Sequence, residues 1–413
     1  MAKKALPAHA RTLALAQLTN SVGDGAFYVT SALFYARVVS LSPAQIGTAL
    51  TIGWGAGFLA SVPLGTAADR RGPRVTAILL AIATAVAVAS LMLIRSYAVF
   101  VIALCVYATC QSGLSAARQA LLARLIAPTE RTRVRAHLQS ALNGGLAAGA
   151  AVGGLALYLD DTAAYLSVFA LDALGFLVAA LLLSHLPDIP PVPHHEDRGP
   201  RLAVLRDPPY AVAAVLNAVM LLYMPLLSLV LPLWIAQHTT APRPLIAALF
   251  VLNTLAVMAF QVRVARRVVD LGSAARSVRL SGFVMLVACA VFATSGATSA
   301  PWVAAAVLLA GAALQVAAEM LLAAGAWEIS FGLAPPDSHG QYQGLFGAGV
   351  PVARMAGPLL LTGLILILGT VGWLILGGVF LLAGIAMAPT VAWARRRGRT
   401  AAAVDVVTEP RAG

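Results

Sequence analysis

Four ionisable side chains, Asp24, Asp172, Glu319 and Arg354, lie inside long apolar stretches of this 413-residue chain. A charge at the centre of a lipid-facing helix costs about 2.5–3.5 kcal/mol, so each is expected to face protein or water. A carboxyl in a water-reached chamber of low dielectric is suited to taking up and releasing a proton, because burial disfavours its charged form. Asp24 stands between Gly23 and Gly25 with Asn20 one turn earlier, and Glu319 follows Gln315 by one turn. Asp24, Glu319, Arg354, Asn20 and Gln315 are therefore the candidate proton- and substrate-binding residues. The competing reading for Asp24 is a structural ion pair. Glu319 has the same alternative, because Arg354 on the next apolar stretch could neutralise it. Arg354 is then either that partner or an anchor for an anionic substrate.

These side chains need a membrane bundle to hold them. Hydrophobic residues make up 60% of the chain and charged residues 11%, and mean hydropathy is +0.86, which excludes a soluble domain. At about 20 residues per crossing, the length leaves room for about a dozen helices. Apolar runs place them near 12–38, 43–68, 75–94, 97–122, 137–158 and 163–185, then 210–236, 244–266, 276–296, 302–326, 341–367 and 370–394. The division is a first six-helix bundle over 1–186, a polar, proline-rich linker over 187–209, a second bundle over 210–394 and a tail over 395–413. Linker and tail are too polar to enter lipid.

The basic residues test this count. Strict alternation from an inside N-terminus puts Lys3, Lys4, Arg11, Arg70, Arg71, Arg74, Arg124, Arg131, Arg133, Arg135, Arg198, Arg201, Arg206, Arg263, Arg266, Arg267, Arg276, Arg279 and the C-terminal arginines on one face. Arg37, Arg95 and Arg243 fall on the other. By the positive-inside rule the crowded face is cytoplasmic, with both termini there. The net charge of +12 thus reports topology and implies no nucleic-acid partner. Lys3 and Lys4 are the sole lysines beside many arginines, a usage typical of a GC-rich bacterial genome. The N-terminal basic residues before an apolar run look like a signal peptide, but the run is long and holds Asn20 and Asp24, so it reads as a retained first helix.

The stretch Gly65-Thr66-Ala67-Ala68-Asp69-Arg70-Arg71-Gly72-Pro73-Arg74 joins the second and third runs. Gly72 suits a tight reversal and Pro73 the first turn of the next helix. Through Gly65, Asp69, Arg70, Gly72 and Arg74 it resembles the signature loop of the major facilitator superfamily. The resemblance implies an all-α fold of twelve transmembrane helices in two pseudo-symmetric six-helix bundles. It also implies alternating access around a site near the membrane midplane, lined by helices 1, 4, 7 and 10, which singles out Asp24 and Glu319. Asp69 is then a conformational latch, meeting the positive end of the helix 11 dipole near Gln341 while Arg74 holds the carboxylate in place. Asp172 falls on a peripheral helix, where a structural hydrogen bond is expected. The matching loop of the second half is degenerate, with Gln261 and Ala265 where the first has Gly65 and Asp69.

Gly145, Gly149, Gly153 and Gly154 lie at four-residue steps on helix 5 and allow a close helix approach. The run from Gly149 to Gly154 resembles the fifth-helix motif of proton-coupled exporters, with Ala150 where that motif has proline. The fourth-helix arginine of those exporters is absent: Ala108 stands in its place and Gln111 precedes Ser112. Arg118-Gln119 resembles a feature of the macrolide-efflux-like branch, its alternative being an arginine that snorkels to the interface. Tyr28, Tyr107, Gln111, Asn217, Tyr223 and Trp327 are further contacts on cavity helices. The resulting expectation is a monomeric drug:proton antiporter of the bacterial inner membrane, exporting small amphipathic or antibiotic-like molecules. The alternative is a proton-coupled uptake symporter or facilitator for a metabolite. No phosphate loop, metal-spaced cluster or nucleophile elbow occurs, so no enzyme activity and no cofactor beyond a proton gradient is expected. Cys105, Cys110 and Cys289 fit neither a disulfide framework nor a zinc site, and His194-His195 reads as solvated linker.

Overall fold

Lipid offers no hydrogen bonds, so a spanning chain must pair its backbone within itself. The computed structural model describes residues 7–159, 161–189, 203–242 and 245–408, and these contain helices, turns and no strand. Lys3, Lys4, Arg243, most of the expected linker with His194, His195, Arg198 and Arg201, and the last five residues lie outside the described residues.

The first half comprises α1 (Ala8–Arg37), α2 (Pro43–Arg71), α3 (Pro73–Leu91), α4 (Tyr97–Leu125), α5 (Pro128–Leu159) and α6 (Thr162–Ser184). The second comprises α7 (Pro208–Met220), α8 (Leu231–His238), α9 (Leu245–Ala265), α10 (Leu271–Thr294), α11 (Pro301–Gly332), α12 (His339–Gly347), α13 (Gly349–Thr362) and α14 (Thr370–Thr408). A 3₁₀ turn and a π turn join α7 to α8 into one crossing. The break falls at Pro225, which has no N–H to donate, and the proline ring packs where a side chain on Gly357 of α13 would stand. Likewise α12, α13 and a following π turn make a single crossing. Among the described residues, eleven stretches are long and apolar enough to span a membrane. The twelfth helix, α1, is diluted by Gln17, Thr19, Asn20 and Asp24 along its middle.

Each half has its own core. Phe34, Tyr35, Phe100, Tyr165 and Phe169 stack in the first, and Trp234, Phe292, Trp373 and Phe380 fill the second. The expected glycine row seats α1 on α5. A Cβ at Gly149 would lie 2.0 Å from the Val22 carbonyl oxygen, and one at Gly153 would lie 2.9 Å from that of Ala26. Gly145 faces Ser21 in the same way, whereas Gly154, one residue round the helix, meets nothing and is not part of this contact.

Two helices run further than their apolar patterns suggest. α5 starts at Pro128, nine residues before the apolar run, because Arg131 reaches back to the Ala123 and Ile126 carbonyls and caps the end of α4. α14 continues through Arg395–Arg397 to Thr408, so the expected tail begins as helix.

Replacing Gly149 by Ala should cost about 1–3 kcal/mol through overpacking against the α1 backbone. Gly154→Ala should be neutral, and thermal unfolding of the two variants in detergent is the comparison that checks it.

Candidate functional site

Asp24 sits at the middle of α1, 5% exposed. Glycines on both sides let neighbouring helices close on it: Gly23 lies against Asp172 of α6 and Gly25 against the Leu146 backbone of α5. The carboxylate accepts from Asn20 Nδ2 at 3.0 Å and from Gln111 Nε2 at 3.2 Å. Gln111 also donates to the Tyr107 hydroxyl at 3.1 Å. On the other side Arg118 of α4 donates to Asn20 Oδ1 at 3.0 Å, so its charge reaches Asp24 through one amide. Arg118 is thus buried against Asn20 and does not snorkel to the lipid interface, and its charge also acts on Arg135.

A cavity of about 290 Å³ adjoins this network. It is lined by the later part of α1 and the first turns of α2 and α4, and so lies toward the face opposite the arginine-rich one. Phe27, Tyr28, Tyr35, Trp54, Phe100 and Tyr107 give it an aromatic wall, and Arg354 of α13 enters from the second half. The Arg354 guanidinium stands 4.3 Å from the Trp54 ring centroid and 5.6 Å from that of Tyr28, to which it is also hydrogen-bonded. Cation–π contacts of this kind hold a charge without neutralising it. Its field, like that of Arg118, acts on Asp24.

Glu319 is in a separate group. It accepts from Asn253 Nδ2 of α9 at 2.9 Å and is hydrogen-bonded to Tyr223. Among the described residues no ion pair joins it to Arg354, which faces the other half instead. Gln315 is buried one turn earlier, its Oε1 without a hydrogen-bond partner. Asp172 corrects the expectation of a structural hydrogen bond: it is fully buried, yet neither carboxyl oxygen has a partner. Trp327 lies under Arg135 near the arginine-rich end of α11, away from the cavity.

At the arginine-rich face the halves meet. Asp69 accepts from the backbone N–H of Gly340 at 2.8 Å and of Gln341 at 2.9 Å, the start of α12. The first-turn N–H groups of a helix have no internal partner and carry its positive dipole end, so the carboxylate satisfies both needs. Backbones approach so closely here that a Cβ on Gly65 would lie 2.1 Å from the Gly340 oxygen. Arg74 does not hold Asp69. It donates to the Ser184 carbonyl and pairs with Asp188 at 3.4 Å, because Gly72, at φ +93°, turns the start of α3 toward the end of α6. Thr132 of α5 and Glu328 of α11 add a second bond between the halves.

Sequence reasoning passed over Trp54 and Asn253. Both carried a signal: Trp54 is flanked by Gly53 and Gly55 within a helix, and Asn253 is an amide in a spanning stretch.

Residues 13–326 match the family model described as Major Facilitator Superfamily. No curated protein sequence matches the chain. Several solved structures share its fold. A bacterial homologue of the iron transporter ferroportin in an outward-facing state aligns at TM-score 0.73 and 16% identity, covering 94% of this chain and 99% of that one. The proton:xylose symporter XylE, bound to 6-bromo-6-deoxy-D-glucose, gives 0.69 and 15%, covering 92% and 95%. The human organic anion transporter MFSD10 (TETRAN) gives 0.65 and 18%, covering 92% and 100%.

Asp69→Asn leaves one acceptor for two N–H groups and presents a donor to the other. The expected outcome is normal membrane insertion, reduced transport and a wider separation of spin labels at the facing ends of α2 and α12. A distance distribution identical to wild type would show that the cap holds nothing closed.

Proposed function

The chain belongs to the major facilitator superfamily, and from that premise we propose that it exports small amphipathic or antibiotic-like molecules across a bacterial cytoplasmic membrane in exchange for protons, working as a monomer by alternating access. The observation that carries this reading is Asp24, a carboxyl set beside an aromatic cavity and acted on by arginines from both halves. Apolar rings suit the body of an amphipathic cargo, and a carboxyl that holds either a proton or a cationic group, never both, supplies the exchange.

By the positive-inside rule the arginine-rich face is cytoplasmic. The Asp69 cap then closes the inside, and the cavity belongs to an outward-facing state in which a proton enters and cargo leaves. As carboxylate, Asp24 attracts Arg118 and Arg354. Protonation releases both arginines, and release of Arg354 loosens a contact between the halves. Glu319, with Asn253 and Tyr223, is the corresponding proton site of the second half.

Arg354 favours a second reading, proton-coupled uptake of an anionic metabolite. An anion that draws Arg354 away from Asp24 makes protonation of Asp24 easier, so anion and proton would bind together and move the same way.

Proteoliposomes with imposed proton gradients separate these. Under the first reading a gradient drives the aromatic cation ethidium against the proton flux, and Asp24→Asn or Glu319→Gln abolishes the gradient dependence. Under the second, the aromatic anion salicylate moves with the protons and Arg354→Gln stops it. Unchanged gradient dependence in both carboxyl variants would remove Asp24 and Glu319 as proton sites.

A further inference from the structure

We propose that Asp172 is a second proton-holding carboxyl, passing one proton to and from Asp24 around Gly23. The proposal rests on the proton-coupled reading above and adds a group to it. Asp172 is fully buried on α6, and both its carboxyl oxygens lack a hydrogen-bond partner. It lies against the backbone just before Asp24: a Cβ on Gly23 would sit 2.4 Å from the Asp172 Cα and 2.5 Å from its Oδ1. A side chain is omitted at position 23 where the two helices bring these acids together.

The titratable groups that face Asp172 are Asp24 and Tyr28 of α1 and Tyr107 of α4. Its own helix adds Tyr165. On α3, the one ionisable side chain is Arg74, engaged at the far end with Ser184 and Asp188. The part of α5 buried in the bundle, residues 138–157, has none. Arg118 and Arg354 act on Asp24, and among the described residues no cation comes to Asp172. A carboxylate placed there would be stripped of water with no opposite charge to offset the loss. A carboxylic acid costs far less and has one hydrogen to give.

The proton therefore resides on Asp172 while the two arginines hold Asp24 as carboxylate. When they withdraw, the two acids compete for it. The O–H bond on Asp172 breaks as one forms on Asp24, and the negative charge moves the other way. Asp24 in turn takes up a proton from the cavity, on the outer face. Asp172 makes no hydrogen bond to Asp24 in this state, so a water molecule between them relays the proton, taking one and giving one up.

Infrared difference spectroscopy of the full-length protein in lipid at neutral pH tests this. With Glu319→Gln as the background for all spectra, which removes the other buried carboxyl without a cation partner, the carbonyl stretch of an un-ionised carboxyl should be present, lost on adding Asp172→Asn and retained on adding Asp24→Asn. In proteoliposomes Asp172→Asn should lose proton-driven accumulation of ethidium while still exchanging labelled for unlabelled ethidium. Survival of the band in Asp172→Asn, its absence from Asp24→Asn, or wild-type accumulation by Asp172→Asn would each overturn the proposal. Because the Asp24→Asn spectrum needs no Asp172 variant, the test stands even if Asp172→Asn fails to fold. If wild type shows no gradient-driven transport, the exchange reading fails, and the spectra still decide where the proton sits.

Discussion

Two backbone N–H groups at the start of α12, aimed into the single carboxylate of Asp69, set the state of the rest of the molecule. Each is a hydrogen bond to a charged acceptor, a class worth about 1.5–3 kcal/mol. They form only because Gly65 and Gly340 let two helices touch backbone to backbone. Closing one face in this way fixes α12, and with it α13 and the position of Arg354 over Trp54. The cavity beside Asp24 has its present shape because the opposite end of the bundle is pinned.

The two halves handle their buried acids differently. In the first, Asp24 is embedded in amides and reached by two arginines, one of them from the other half. In the second, Glu319 has an amide and a phenol but no cation partner in the described structure. Pseudo-symmetry of helices therefore does not extend to electrostatics. The charge pattern ties the second half to the first through Arg354, whose stacking on aromatic rings keeps it close to Asp24 without tying it to a carboxylate.

Much of this was legible in the sequence. The crossings follow from apolar runs of bilayer length. Asp69 and its meeting with α12 were legible because the loop Gly65–Arg74 repeats a known spacing. What could not be read is the rotation of each helix about its axis, since spanning runs that are apolar all round have no polar face to fix it. For that reason chain order offers Glu319 as one of two roles for Arg354, whose rings, Tyr28 and Trp54, lie on the first two helices. Arg74 was assigned to the carboxylate nearest in sequence, though the turn at Gly72 sends it to the end of α6. Asp172 was expected to have a hydrogen-bond partner because most buried polar groups do, and the Gly23 contact that explains its setting is visible only in three dimensions.

Among the described residues, Arg354 is the one lining side chain of the aromatic cavity that comes from the second half. Every other wall residue is rooted in α1, α2 or α4. A guest there would be shaped by one rigid body and sensed by the other through a single arm. Mutational drift among the rings would reshape the chamber while leaving the arm from the other half untouched, so the two can evolve independently.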